Sequence, residues 1–231
     1  MKQTTKALDS RTKGLLEVLS GMYVAAVSDI LDDMGFNNQV MVAGIKAVNP
    51  ETKLVGVALP VETTWYKGYK KFDDFSYEPL FKIFDGISPG CVITIATEGR
   101  TTAACWGELV SNAARGKGAA GFLTDGCVRD IEGILDISPP FPVFALGYNP
   151  ARSEGRLEYG RTNIPLVCGG VRVEPGDIIF GDRDGVVVIP KKVADKVVKK
   201  AEDTVSRESA FRSDIRKGTD LRATIEKYGV A

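Results

Sequence analysis

Residues 106–134 read WGELVSNAARGKGAAGFLTDGCVRDIEGI, and the order of patterns inside this stretch decides the fold class. Val110, Ala113 and Ala114 share one helical face, so the spacing predicts a helix over Glu108–Lys117. Gly116 or Gly118 can supply the left-handed residue that ends it. Ala120–Thr124 is a short apolar run and predicts a buried strand. A second helix is expected over residues 129–136. Helix, buried strand and helix in such short compass indicate an α/β fold with strands inside and helices outside.

The flanks extend that pattern. Residues 10–19 and 22–34 are predicted helical, with Val24, Val27, Ile30 and Leu31 on one face and Gly35 available to close the second helix. Strands are expected at 53–62, after the turn at Ser88–Gly90, at 141–147, and in VRVEPGDIIFGDRDGVVVIP (171–190). Residues 63–75, TTWYKGYKKFDDF, read as a loop or lid, and Ser76–Phe84 as a short helix. From Lys191 an amphipathic helix runs to about Lys217, and a last short helix follows Thr219. One domain over 1–231 is expected, with 190–231 as a C-terminal helical extension.

Composition removes whole classes of chemistry. The chain of 231 residues contains no histidine, which excludes Ser-His-Asp and Cys-His catalysis and H-E-x-x-H zinc sites. Thirty basic and thirty acidic residues balance, so no bulk attraction to nucleic acid or an anionic membrane is implied. The start has charges throughout and no apolar core of a signal peptide. No apolar run approaches the roughly 18 residues of a membrane span. Cys91, Cys105, Cys127 and Cys168 form no C-x-x-C pair and are expected as reduced thiols. A cytoplasmic protein is therefore expected.

Three motifs have ordinary readings. GKGAAG (116–121) fits G-x-G-x-x-G, but its glycines follow a helix and lead into a strand, the reverse of a dinucleotide site. GDRDG (181–185) starts like a calcium loop but lacks the later ligands, and reads as a hairpin turn. Lys46 is the nearest candidate for a Schiff-base lysine and reads as a surface lysine.

Arg129 and Asp130 remain. Neighbours on a helix point about 100° apart, so they need not pair. Asp130 in a first turn reads first as helix capping. Arg129 offers a planar fork for a carboxylate, and a carboxylate oxygen suits Mg²⁺ or Mn²⁺. A second element strengthens the site reading: WGEL puts Glu108 and the free amides of Leu109 and Val110 at another helix start. The helix would run out and the strand return, bringing both helix N-termini to one end of the sheet, where open α/β folds bind ligands.

Together with FPVFALGYNP (141–150) and IPLVCGGVRVEPGDIIFGDRDGVVVIP (164–190), this stretch resembles the family of regulator of ribonuclease activity A and the class II 4-hydroxy-4-methyl-2-oxoglutarate aldolases. The resemblance is dense over 106–190 and looser outside it, where VSDILDDMG (27–35) also takes part. Older labels of such proteins as demethylmenaquinone methyltransferases find no cofactor-binding pattern here. The resemblance implies a compact α-β-β-α sandwich of the swivelling-domain type, assembled as a homotrimer or homohexamer with sites between subunits. It implies a divalent-metal aldolase that releases pyruvate from a small 2-oxo acid and also decarboxylates oxaloacetate. By motif, Asp130 would bind Mg²⁺ or Mn²⁺, and Arg129 would contact the pyruvyl group. Leu109 and Val110 would offer amides to its carboxylate. Glu108, at a position often Asp in the aldolases, would orient a metal-bound water. Two acids would come from a neighbouring subunit, with Glu208 and Asp29 as candidates and Glu202 as the competitor of Glu208. Two alternatives stand beside this: a non-catalytic interaction protein of the ribonuclease E regulator type, and a same-fold enzyme acting on another 2-oxo or sugar acid.

Overall fold

The computed structural model describes residues 7–71 and 76–229. The N-terminal helices are α1 (Ser10–Ser20) and α2 (Val24–Asp33), followed by β1 (Lys46–Ala47) and the long β2 (Leu54–Trp65). Next come α3 (Glu78–Gly86), β3 (Cys91–Ile95), β4 (Ala104–Trp106), α4 (Glu108–Gly116), β5 (Gly121–Thr124), β6 (Cys127–Val128) and α5 (Ile131–Leu135). The second half holds β7 (Val143–Ala145), β8 (Gly147–Tyr148), β9 (Leu157–Thr162), β10 (Leu166–Cys168), β11 (Val171–Val173), β12 (Ile178–Gly181) and β13 (Val186–Ile189). The chain then enters α6 (Ala194–Arg216) and α7 (Leu221–Tyr228).

The main sheet runs β1-β7-β5-β3-β2-β12-β13, with β9 also paired to β2. Strands β2, β3, β5 and β7 run parallel to one another, while β12 and β9 pair antiparallel with β2, β13 with β12, and β1 with β7. Residues 39–47 draw the two edges together. Val40 bridges Val187, the Met41 amide donates to Val186 O at 2.9 Å, and a few residues later β1 pairs with β7. The sheet is therefore nearly closed.

Strand alternation assigns the two faces. Leu54, Ala58, Val92, Leu123, Phe144, Ile179 and Val188 point inward and form the interior core with Met41, Ile45 and Cys168. Leu59, Ile93, Ile95, Phe122 and Val143 point outward and are covered by α3, α4 and α5. Ile178, Phe180, Val187 and Ile189 also point outward, beneath α1, α2 and the first half of α6. Helices thus cover two β layers from outside, the sandwich that the family resemblance implies. The apolar runs VITI and GFLT, fully buried, are what parallel strands covered on both faces require.

Several local readings are refined. Gly118, at φ +87°, is the glycine that ends α4. GDRDG is the β12–β13 turn, and its Asp182 accepts the first amide of α2, from Val24, at 2.8 Å. Lys46 is exposed. Residues 63–65 belong to β2 rather than to a loop. Pairing with β9 carries the strand onward, Thr63 Oγ1 donates to Ala96 O at 2.7 Å and Trp65 Nε1 to Thr97 O at 3.1 Å. Residues 72–75 of the same stretch lie outside the described residues. The second half of α6 packs with α7, where Asp214 accepts from Lys227 Nζ and Tyr228 Oη.

Candidate active site

A small second sheet builds the site. Its strands β4, β6 and β8 are all parallel, and Trp106 lies opposite Val128. Two of these strands end in helices: β4 turns through Gly107 into α4, and β6 turns through Arg129 and Asp130 into α5. The register, with the Arg129 amide donating to Trp106 O at 3.0 Å, sets the two turns side by side. Both helix starts therefore share one end of the sheet, as the sequence predicts. Trp106 anchors the junction. It is buried, stacks on Phe122 with centroids 4.4 Å apart, and donates from Nε1 to Ser111 Oγ at 2.9 Å. Ser111 in turn donates to Gly107 O, which fixes the first turn of α4.

The backbone at Asp130 corrects the expectation that it sits in a helical turn. Its φ and ψ of 59° and 46° are left-handed, and α5 begins one residue later. Asp tolerates this region better than most residues, yet at a cost of order 1 kcal/mol. The conformation turns the carboxylate away from the amides of its own helix, and it makes no capping bond there. It also brings the carboxylate to its neighbour: Asp130 Oδ2 lies 3.4 Å from Arg129 Nε. The reading of 100° separation fails here because Asp130 is not helical. The two side chains remain 47% and 39% exposed, so both can meet a ligand.

Gly107 makes this approach possible. A Cβ there would lie 2.5 Å from Asp130 Oδ2 and 3.3 Å from Arg129 Cγ. As the N-cap of α4, Gly107 also offers no side chain to the first-turn amides. Those of Leu109 and Val110, which no helix carbonyl can satisfy, are left for an anion. Glu108 lies at the edge of this arrangement. Its stem crosses Gly133 of α5, where a Cβ would come within 2.7 Å, and its Oε1 accepts from Asn112 Nδ2.

These groups open onto a pocket of about 260 Å³. Gly107, Leu109, Val110, Arg129 and Asp130 line one side, and Tyr77, Ser153, Glu154 and Tyr159 line another. Tyr159 donates its hydroxyl to Cys105 O at 2.6 Å, and burial pushes its pKa upward, so it remains protonated. Cys105 also borders the pocket, with its thiol pushed up to about 12 by burial. It is no nucleophile at neutral pH.

Sequence reasoning missed the second side. Tyr77, Ser153, Glu154 and Tyr159 carry no motif and converge only because β9 pairs with the far half of β2. Gly107 had a legible signal, a glycine between a strand and Glu108, whose role is visible only beside Asp130. Asp29 on α2 and Glu202 on α6 are exposed, in the other helical layer. Glu208 is 18% exposed and lies 3.6 Å from Arg212 in an i,i+4 pair. None of the three lines this pocket in its own chain. Among the described residues no three His, Cys, Asp or Glu side chains converge as a metal cluster. The chain thus brings two carboxylates to the pocket, Asp130 beside the α4 amides and Glu154 on the other side. That donor set fits Mg²⁺ or Mn²⁺, which bind through oxygen and retain several waters, and does not fit a closed zinc site.

A nearly closed mixed sheet with two strand-to-helix junctions around an Arg-Asp turn defines the class. The model of the Aldolase/RraA family matches residues 24–188, and the chain belongs to that family. A protein of Halalkalibacterium halodurans with a provisional 4-hydroxy-4-methyl-2-oxoglutarate aldolase designation is 36% identical over 205 residues, covering 87% of this chain and 89% of the relative. The crystal structure of an uncharacterized protein from Pseudomonas syringae pv. tomato is similar at a TM-score of 0.80 and 26% identity, over 95% of this chain and 98% of that one. A Streptomyces coelicolor protein, described as an unusual member of the RNase ES inhibitor RraA family, shares the fold at a TM-score of 0.76 and 24% identity, covering 90% and 98% of the two chains. Among the described residues no single helix is long and apolar enough to cross a membrane.

Proposed function

We propose that the chain is a divalent-metal-dependent lyase that cleaves 4-hydroxy-2-oxo acids to release pyruvate and also decarboxylates oxaloacetate. The observation that carries this reading is the left-handed Asp130. Its carboxylate is withheld from its own helix and held beside Arg129, at the pocket that the open amides of α4 border. Asp130 would hold Mg²⁺ or Mn²⁺, which when bound supplies Lewis-acid stabilisation of developing negative charge, worth several kcal/mol.

The protein groups divide the remaining work. The Arg129 guanidinium binds the pyruvyl carboxylate, and its fixed charge draws electron density from the adjacent 2-oxo carbon. The amides of Leu109 and Val110 donate to the same carboxylate at the positive end of α4. Cleavage of a 4-hydroxy acid needs a base for the hydroxyl proton, whereas loss of CO₂ needs none. With no histidine in the chain, Glu108, next to the Leu109 and Val110 amides at the start of α4, is the base-type group assigned to this step. Oriented by Asn112, it can hold a water that takes the proton.

An assembly of three or six copies, with Asp29 and Glu208 or Glu202 reaching a neighbour's pocket, belongs to the same proposal. Of these, Asp29 and Glu202 are free of the intrahelical ion pair that engages Glu208. The second reading, a non-catalytic ribonuclease regulator, is favoured by likenesses such as that to the Streptomyces protein, which shows fold and no more.

The test is coupled detection of pyruvate from oxaloacetate and a panel of 4-hydroxy-2-oxo acids, with Mg²⁺, with Mn²⁺ and with EDTA. Turnover that EDTA removes and either metal restores is expected. No pyruvate from any substrate with metal present would favour the regulator. Within the same assay, Arg129→Lys is expected to lose about 10–100-fold in kcat/KM, or about 1.4–2.8 kcal/mol, because an ammonium cannot reproduce the two-pronged fork. A wild-type rate would reduce Arg129 to a structural residue.

A further inference from the structure

The far side of the pocket rests on a clasp between two segments well separated in sequence. Beyond β2, the Tyr66 amide donates to Arg156 O and the Lys70 amide to Gly155 O, each at 2.9 Å. The Tyr69 ring lies against Gly155, which stands at φ +78°, and a Cβ there would come 2.4 Å from Lys70 O and 2.9 Å from the ring. The guanidinium of Arg156 stacks over the same ring, 5.1 Å from its centroid, and Arg152 Nη2 donates to the Tyr69 hydroxyl at 3.3 Å. The clasp holds Ser153 and Glu154 between these fixed points and sets them into the pocket wall, with Tyr77 also in the lining.

The charges of that lining are uneven. Among the described residues, Arg129 is the only cation that borders the pocket, against the carboxylates of Asp130 and Glu154; Arg152, which interacts with Glu154, is engaged on Tyr69 and does not line it. Arg129 belongs to the pyruvyl end of a substrate and Asp130 to the metal. That leaves Glu154 and the Ser153 hydroxyl for the rest of the molecule. A carboxylate acceptor and a hydroxyl suit hydroxyl groups, whereas a second carboxylate would meet Glu154 charge against charge.

We infer that Glu154, held by the Tyr69–Gly155 clasp, selects 4-hydroxy-2-oxo acids with a neutral, hydroxylated tail over those ending in a second carboxylate. This rests on the pyruvate-releasing reading above. In the reaction the C3–C4 bond breaks and its electron pair stays with the three-carbon fragment. The C4 hydroxyl gives up its proton to form an aldehyde, and C3 takes one up, so no further reactant is consumed.

A matched five-carbon pair tests the selection: 4,5-dihydroxy-2-oxopentanoate, ending in CH₂OH, and 4-hydroxy-2-oxoglutarate, ending in a carboxylate. The wild-type protein is expected to favour the first by at least about tenfold in kcat/KM. In Glu154→Gln the preference should fall by about fivefold or more, chiefly through a rise in kcat/KM for the dicarboxylate. Tyr69→Ala, which changes no pocket-lining residue but removes the prop that positions Glu154, should also erode it. A wild-type preference for the dicarboxylate, or an unchanged ratio in Glu154→Gln, overturns the inference while pyruvate release stands. Release from neither compound, nor from oxaloacetate with metal present, overturns the reading beneath it as well.

Discussion

Asp130→Ala is expected to reduce metal-dependent pyruvate release by about a thousandfold or more, with the fold intact. That expectation follows from removing the carboxylate that would hold the cation. Lewis-acid stabilisation of several kcal/mol goes with the cation, and each 1.36 kcal/mol is tenfold in rate. The fold should survive because the side chain caps no helix, and its one ion pair, to Arg129, is half exposed. Alanine is less at ease than aspartate in a left-handed backbone, so Asp130→Asn serves as the companion. Asparagine tolerates φ near +60°, keeps the shape and lacks the charge. The two variants should lose activity alike and melt within a few degrees of the wild type, by circular dichroism. Retained turnover in either would mean that the strained carboxylate serves some other purpose.

Gly107→Ala should cost about a hundredfold in kcat/KM with almost no loss of stability. The backbone at Gly107, φ −160° and ψ −170°, is extended and open to any residue. The added methyl would meet the tip of the Asp130 side chain at 2.5 Å, a flexible group that can move aside at little cost to the fold. The carboxylate would not then remain where it is. A displacement of about 1 Å in a reacting constellation can cost 10²-fold. Steady-state kinetics beside a melting curve separates the two effects. A near-normal rate would show that the Asp130 position is not critical, and a collapsed melting curve that Gly107 serves packing instead.

Much of the frame was legible because long elements carry period. Helices over 22–34, 108–117 and 191–217 announced themselves by apolar spacing, and these and the helix expected over 10–19 have their counterparts in the structure. The short strands did not. β4, β6 and β8 hold two or three residues each, too few for any periodicity, yet they align the two helix starts. β9 was missed because LEYGRT alternates charge with half-burial instead of showing an apolar run. Without β9, residues 63–65 had no visible partner and read as loop.

The site divides in the same way. Arg129, Asp130, Glu108 and the α4 amides stood within one stretch of sequence, so their types and spacing could be weighed, and the family resemblance gave them roles. The left-handed turn at Asp130 could not be read, since no glycine marks it. The far wall was also hidden. Tyr77 and Glu154 are separated by most of the sheet in sequence and meet only through the clasp at Tyr69 and Gly155.

The most direct measurement is anomalous diffraction from crystals soaked with Mn²⁺ and pyruvate. The expected result is a manganese peak about 2.0–2.2 Å from an Asp130 oxygen, the distance typical of small divalent cations, with the pyruvate carboxylate against Arg129 and the α4 amides. A pocket without manganese at saturating soak, or a peak held by other residues with Asp130 turned away, would contradict the assignment.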